Sequence, residues 1–204
     1  MINIHFIEKH SLTPLLFQKM VELCKVAEID PSSKYQAQCF STDWESAGAS
    51  VLYQVYHGLM NLVYVEGEQD FDNTGKITSW KAMCGYSFHE DILFAPRRAY
   101  VTQSARRNIV ISTNIMPELE KIAVKNGVKF IVTSFNDNPR GRIHFNIYHS
   151  RRFLKFKTKS EYMIDFVSLS EKPLTIMGVP QYVIYKSLTG ESLTIDRVEM
   201  LLHS

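Results

Sequence analysis

Cysteine is scarce. The 204 residues hold three, Cys24, Cys39 and Cys84, odd in number and without a CxxC pair. That argues against a zinc ribbon and a disulfide-stapled scaffold, and it reads as reduced thiols in a cytoplasmic protein. No apolar run approaches the roughly 20 residues that a membrane helix needs. The opening MINIHFIEKH has no basic flank, long apolar stretch or small-residue cleavage site, so no secretory leader is expected there. Ile2 and the ending Leu202-His203-Ser204 carry no lipidation signal. Neither charge sign is in excess: 23 Lys and Arg face 21 Asp and Glu, a formal net charge of +2. Bulk charge therefore does not call for a polyanionic partner. There is no GxSxG elbow, no Walker loop and no dinucleotide glycine fingerprint, so Ser and Cys nucleophiles lack a supporting pattern. No repeat and no Gly-, Ser- or Pro-rich linker divides the chain, which reads as one domain over residues 1–204.

What is present is ordinary globular composition, 45% hydrophobic and 22% charged, with alternating periodicities. Residues 2–7 alternate apolar and polar, as a strand does. Ser11, Thr13 and Pro14 open a helix whose apolar face continues to about Ile29. Asp43 is a candidate cap for a helix through Val51, Leu52, Val55 and Tyr56, with Gly58 as its stop. Strands are expected over 62–66, 77–89 and 92–102, the last entered after Pro96. The first two flank a polar hairpin tip at 68–75. Ile111, Ile115, Leu119, Ile122 and Ala123 share a helix face, with a kink or a start at Pro117 and a stop at Asn126-Gly127. Residues 128–134, VKFIVTS, read as a buried central strand. Asn136-Asp137-Asn138-Pro139 is a turn that caps a helix running to about Leu154. Strands at 162–168 and 181–187 and a short helix or extension over 191–201 complete the chain. The order predicts a mixed α/β fold: one mostly antiparallel sheet flanked by helices.

Several clusters invite chemistry. Asp70-Phe71-Asp72-Asn73-Thr74-Gly75 has the first half of a calcium-loop spacing, but Lys81 stands where the closing Glu belongs. His144 and His149 are five apart and do not share a helix face, so no metal site is expected. Glu90 and Asp91 sit at the expected end of a strand, where a carboxylate could deprotonate an ammonium; a solvated turn explains them as well. Glu66 and Glu68 are lesser candidates of the same kind. Residues 140–159 hold seven Arg and Lys, no acid, and four interleaved aromatic residues. That pattern fits RNA, a single strand, an anionic cofactor, or a solvated face over core aromatics. Tyr35, Phe40, Trp44, Tyr53 and Tyr56 form an aromatic group that core packing also explains.

Residues 97–145, about a quarter of the chain, resemble the GNAT superfamily of N-acetyltransferases. Arg98–Thr102 resembles the family's fourth strand, and 103–108 the basic loop after it. Residues 117–127 resemble the third helix, with Ala123 four residues before Gly127. Residues 128–135 resemble the fifth strand, and Asn138 the asparagine that follows it. The resemblance implies a fold in which strands four and five splay, so that the arm of acetyl-CoA pairs with their main chains. It implies Tyr100, Val101, Thr102, Arg106, Arg107, Asn108 and Asn138 as cofactor-binding residues. Glu90 or Asp91 would take the proton of a small-molecule or protein amine, main-chain N–H groups near 100–102 would hold the oxyanion, and Tyr148 would protonate the leaving thiolate. Val110 and Ser112 stand where the family carries glycine. Phe145 stands where its tyrosine acid falls, with Tyr148 three residues on. The alternative is a GNAT-like binding module without catalysis, acting on protein or nucleic acid through 140–159. No membrane partner is expected. Strands near the C-terminus could pair subunits into a dimer.

Overall fold

The structure is a computed structural model that describes residues 4–18, 20, 47–66, 80–101, 114–149, 152–155, 161–176 and 178–202. The chain packs as two compact units, one of Met1–Ser87 with Pro96–Met116, the other of Phe88–Ala95 with Pro117–Ser204. Strands β3 (Trp80–His89) and β4 (Ile92–Val101) each contribute to both.

In the first unit, β1 (Ile4–Ile7) pairs antiparallel with β2 (Asn61–Glu66), from Ile4↔Val65 to Ile7↔Leu62. β2 pairs antiparallel with β3, and the register shifts between Val65 and Glu66. Helix α1 (Ala47–Tyr56) turns Val51, Leu52 and Val55 inward, one stripe at helical spacing. They pack with Leu12, Met20, Met60, Leu62, Tyr64 and Met83. The chain leaves α1 through Gly58 at φ +73, where the His10 ring would collide with any Cβ. Residues 14–18 are helical, and Thr13 Oγ1 accepts from Leu16 N at 3.3 Å, the cap that Ser11–Pro14 predicts.

In the second unit, β5 (Phe130–Asn136) pairs antiparallel with β10 (Val179–Ser187) over seven residues, from Phe130↔Ser187 to Asn136↔Gln181. Its other edge pairs in parallel with the start of β4, at Ile92↔Phe130, Leu93↔Ile131 and Phe94↔Val132. Phe130, Ile131, Val132 and Thr133 are buried in succession, as expected for a strand covered on both faces. β8 (Val167–Ser168) and β9 (Leu174–Ile176) both pair with β10. Helix α2 (Met116–Lys125) has Glu118 in its first turn and Lys125 in its last, both matched to the helix dipole. It ends in a Schellman turn: Val128 N bonds Ala123 O at 3.0 Å and Gly127 N bonds Val124 O at 3.1 Å, with Gly127 at φ +69. Helices α3 (Pro139–Tyr148) and α4 (Ile195–Leu202) follow. The core joins Ile92, Phe94, Phe130, Val132, Val183, Leu193 and Val198.

The main sheet runs β1-β2-β3-β4-β5-β10-β8, with β9 also on β10. It is the mixed, mostly antiparallel α/β sheet expected. β6 (Arg152–Lys155) and β7 (Glu161–Ile164) form a separate two-stranded ribbon.

Four local expectations need correction. β4 begins at Ile92, and Pro96 lies inside it, two residues past the last β5 partner, where its missing N–H costs no β4–β5 pair. The helix after Asn138 stops at Tyr148 rather than Leu154, because Arg152–Lys155 pairs with β7. Cross-strand bonds there outweigh helical propensity. The strand expected over 162–168 is two strands, with Phe166 between them turned wholly into the interior. The central strand starts at Phe130, since Val128 N is spent on the Schellman turn. Residues 21–46 and 67–79, with the second half of the first helix, the Asp43 cap and the hairpin tip, lie outside the described residues.

Candidate functional site

The register between β4 and β5 stops at Phe94↔Val132, yet β4 continues to Val101 and β5 to Asn136. At the end of β5 the chain turns directly into α3. Asn138 is the cap, extended at φ −141 and ψ 169, and its Oδ1 accepts from Gly141 N at 2.8 Å. Pro139 follows in the first turn. Gly141 is buried, and a Cβ there would lie 1.9 Å from Asn136 O. Absence of a side chain lets the helix start against the strand end. Arg142 Nε donates to Asp137 Oδ1 at 2.7 Å and holds that carboxyl below its ordinary range, with the Tyr182 side chain adding a further hydrogen bond. Ser134 Oγ donates to Gln181 Oε1 at 2.6 Å across the β5–β10 pair.

The three residues expected to be catalytic, Glu90, Asp91 and Tyr148, lie in the second unit. Tyr148 is 3% exposed, its ring 5.3 Å from both Phe135 and Phe166. Phe145, one helical turn earlier, faces elsewhere: its ring sits 4.7 Å from Tyr182 and stacks on His149 at 5.2 Å. His144 instead stacks on Phe135 at 5.9 Å, so the two histidines do diverge. Glu90 and Asp91 form the turn between β3 and β4, with Glu90 exposed at φ +53. Asp91 is engaged: its side chain pairs with Arg197 of α4, and its carbonyl accepts from Lys129 N at 2.8 Å and Phe130 N at 3.1 Å. The turn adjoins the paired end of β4 and β5, about 10 Å of strand before the register stops.

Tyr100 and Val101 close β4. Thr102, Arg106, Arg107 and Asn108, with Val110 and Ser112, lie outside the described residues. Cys84 is fully buried, and burial pushes its thiol up, the opposite of an activated nucleophile. Among the described residues no group of three His, Cys, Asp or Glu could hold a metal ion, and no helix is long and apolar enough to cross a membrane. Sequence reasoning missed Arg197 and Lys186. Lys186 is 8% exposed, with its Nζ 2.9 Å from Glu120 and 3.0 Å from Asp165. Only its place in a strand rich in apolar residues, VPQYVIYKS, hinted at a buried charge.

No family model and no curated protein matches the sequence. Solved structures do match in fold. A protein from Desulfovibrio desulfuricans assigned to the GNAT acetyltransferases aligns over 91% of this chain and 99% of its own, with TM-score 0.51 and 9% identity. The ribosomal-protein-S18-alanine N-acetyltransferase of Escherichia coli aligns over 96% of this chain and 100% of its own, with TM-score 0.50 and 12% identity. At such identities the likeness is one of fold. The chain has a GNAT-like fold.

Proposed function

We propose that the protein transfers an acyl group, in the simplest case acetyl, from coenzyme A to an amine. The observation that carries this reading is the β4–β5 register, which ends at Phe94↔Val132 while β5 runs on to Asn136. Strand edge beyond a last partner is what an extended amide-bearing arm adds to. In this reading acetyl-CoA is the acyl donor, and its thioester supplies the electrophilic carbonyl. Tyr100, Val101 and Thr102 offer main-chain groups to it, and Arg106, Arg107 and Asn108 offer polar contacts to its phosphates. Asn138 serves indirectly, by capping α3. The amine nitrogen bonds to the carbonyl carbon, the carbon–sulfur bond breaks, and Tyr148 gives its phenolic proton to the thiolate. Because Asp91 is held by Arg197, Glu90 is left to take the amine proton, through water given its place in the turn.

Calorimetry tests the first step: binding of acetyl-CoA at up to millimolar ligand is expected, and its absence removes the enzyme reading. Tyr148→Phe then tests the acid. Turnover should fall about 100-fold or more with acetyl-CoA affinity unchanged; unchanged turnover removes Tyr148 from the reaction.

A second reading rests on charge segregation. Residues 140–159 hold seven of the 23 Lys and Arg and none of the 21 Asp and Glu, so the rest of the chain is net negative by five. A binding module of this fold would hold nucleic acid through that stretch. Salt-dependent retention on a single-stranded oligonucleotide, weakened by Arg151→Glu with Arg152→Glu, is its signature. Retention unchanged by the double reversal excludes it.

A further inference from the structure

The β3–β4 turn and helix α4 are joined by a denser set of polar contacts than a turn needs. Asp91 meets Arg197 through its side chain and the Lys129 and Phe130 amides through its carbonyl. The Arg197 guanidinium also lies 5.6 Å from the centroid of the Phe130 ring, itself fully buried. Lys129 Nζ pairs with Glu191 at 2.9 Å, just before α4, and Lys129 O accepts from Leu188 N at 2.8 Å, just after β10. Every contact falls within one residue of Ile92↔Phe130, the first pair of the parallel β4–β5 register, or on the segment that follows β10. Val198 and Leu193 anchor the same segment in the core.

We propose that Asp91 and Arg197 are positioning residues: through them α4 pins the origin of the β4–β5 pair and so sets the course of β5 beyond Val132. A parallel pair held by three residue matches has little of its own to fix its start. An ion pair to a helix whose apolar side is in the core supplies a rigid reference. Arg197 shields the Phe130 ring as well, so losing it loosens packing and charge together. Through this pin α4 would influence acyl-CoA binding without touching the ligand, a consequence that rests on the transferase reading above.

Hydrogen exchange decides the pin by itself. In Arg197→Ala the amides of Lys129, Phe130 and the 92–94 and 130–132 segments should exchange at least tenfold faster, with β1 and β2 unchanged. Arg197→Lys, which keeps the charge, should restore most of the protection. Val198→Ala is the matched control, because it weakens α4 packing and leaves the ion pair in place. Equal acceleration at 92–94 and 130–132 in Val198→Ala and Arg197→Ala, at matched loss of melting temperature, overturns the proposal, as does no acceleration in Arg197→Ala. Calorimetry on the same variants gives the functional arm: Arg197→Ala should weaken acetyl-CoA binding severalfold more than Val198→Ala. If the wild-type protein binds no acetyl-CoA, the transferase reading fails while the exchange data still judge the pin. If acetyl-CoA binds with equal affinity to all variants, the link between pin and ligand is refuted.

Discussion

Replacing Gly141 by alanine opposes two effects of known size. Alanine is the better helix former by up to about 1 kcal/mol, and no left-handed backbone stands in its way, since Gly141 lies within α3 and is not among the positive-φ glycines. Against this, the new Cβ would stand 1.9 Å from Asn136 O and 2.9 Å from Asn136 C, both main-chain atoms. Non-bonded contacts are comfortable at about 3.5–4 Å, roughly 2 Å beyond the shorter of these distances. Backbone cannot rotate away as a side chain can, so the first turn of α3 must lift from the end of β5. That movement stretches the 2.8 Å bond from Gly141 N to Asn138 Oδ1. Overpacking costs about 1–3 kcal/mol and loss of the cap about 1 kcal/mol. The steric side wins by roughly 1–3 kcal/mol, which lowers the melting temperature of a chain this long by roughly 2–12 °C. Thermal unfolding followed by circular dichroism reads this directly. Asn138→Ala alone should cost about 1 kcal/mol, and the double variant should cost less than the sum, because both changes break one bond. A Gly141→Ala protein that melts at or above the wild-type temperature would refute the close approach of helix and strand.

Three further outcomes are expected. Burial, with smaller contributions from Glu8 and Cys84, pushes the Tyr86 phenol up to about 12 from 10. The unfolded chain therefore releases this proton first, so stability declines as pH rises from about 10 to about 12; Tyr86→Phe should flatten that decline in alkaline unfolding curves, and an unchanged slope would count against the assignment. Asp137 lies below its ordinary range because Arg142 donates to it. Its contribution is present above the unfolded carboxylate pKa and fades as pH falls through the folded one, so Asp137→Asn should reduce stability at neutral pH and make little difference in strong acid, as measured by urea unfolding at both. Lys186→Ala leaves Glu120 and Asp165 without their shared cation. The cost should reach at most about 3 kcal/mol, since both carboxylates keep some water contact, and adding Glu120→Gln with Asp165→Asn should recover much of it in denaturant titrations.

Much of the fold is readable from neighbouring residues. Gly58 and Gly127 as helix ends, Pro117 near a helix start and the Asn136–Pro139 turn as the start of the next helix are all local signals, legible because a cap or turn involves only a few consecutive residues. The β-branched run through Val132 announced a strand covered on both faces. The errors fall where partners are distant. Phe153 and Leu154 continue a helical pattern, but Met163 and Tyr162 stand opposite them in a ribbon. The pairing of Asp91 with Arg197, 106 residues away, is likewise a contact that no local pattern shows.

Sequence periodicity, capping chemistry and the run of apolar strands were enough to assign the helices from α2 on, the long strands and the α/β class, because each depends on spacings of two to four residues. Where β4 and β5 cease to pair, which ring Phe145 meets, and whether a carboxylate at the turn is available or already bound depend on contacts between segments far apart in the chain. Such contacts leave no periodic trace in either partner, so they emerge only when the chain is folded.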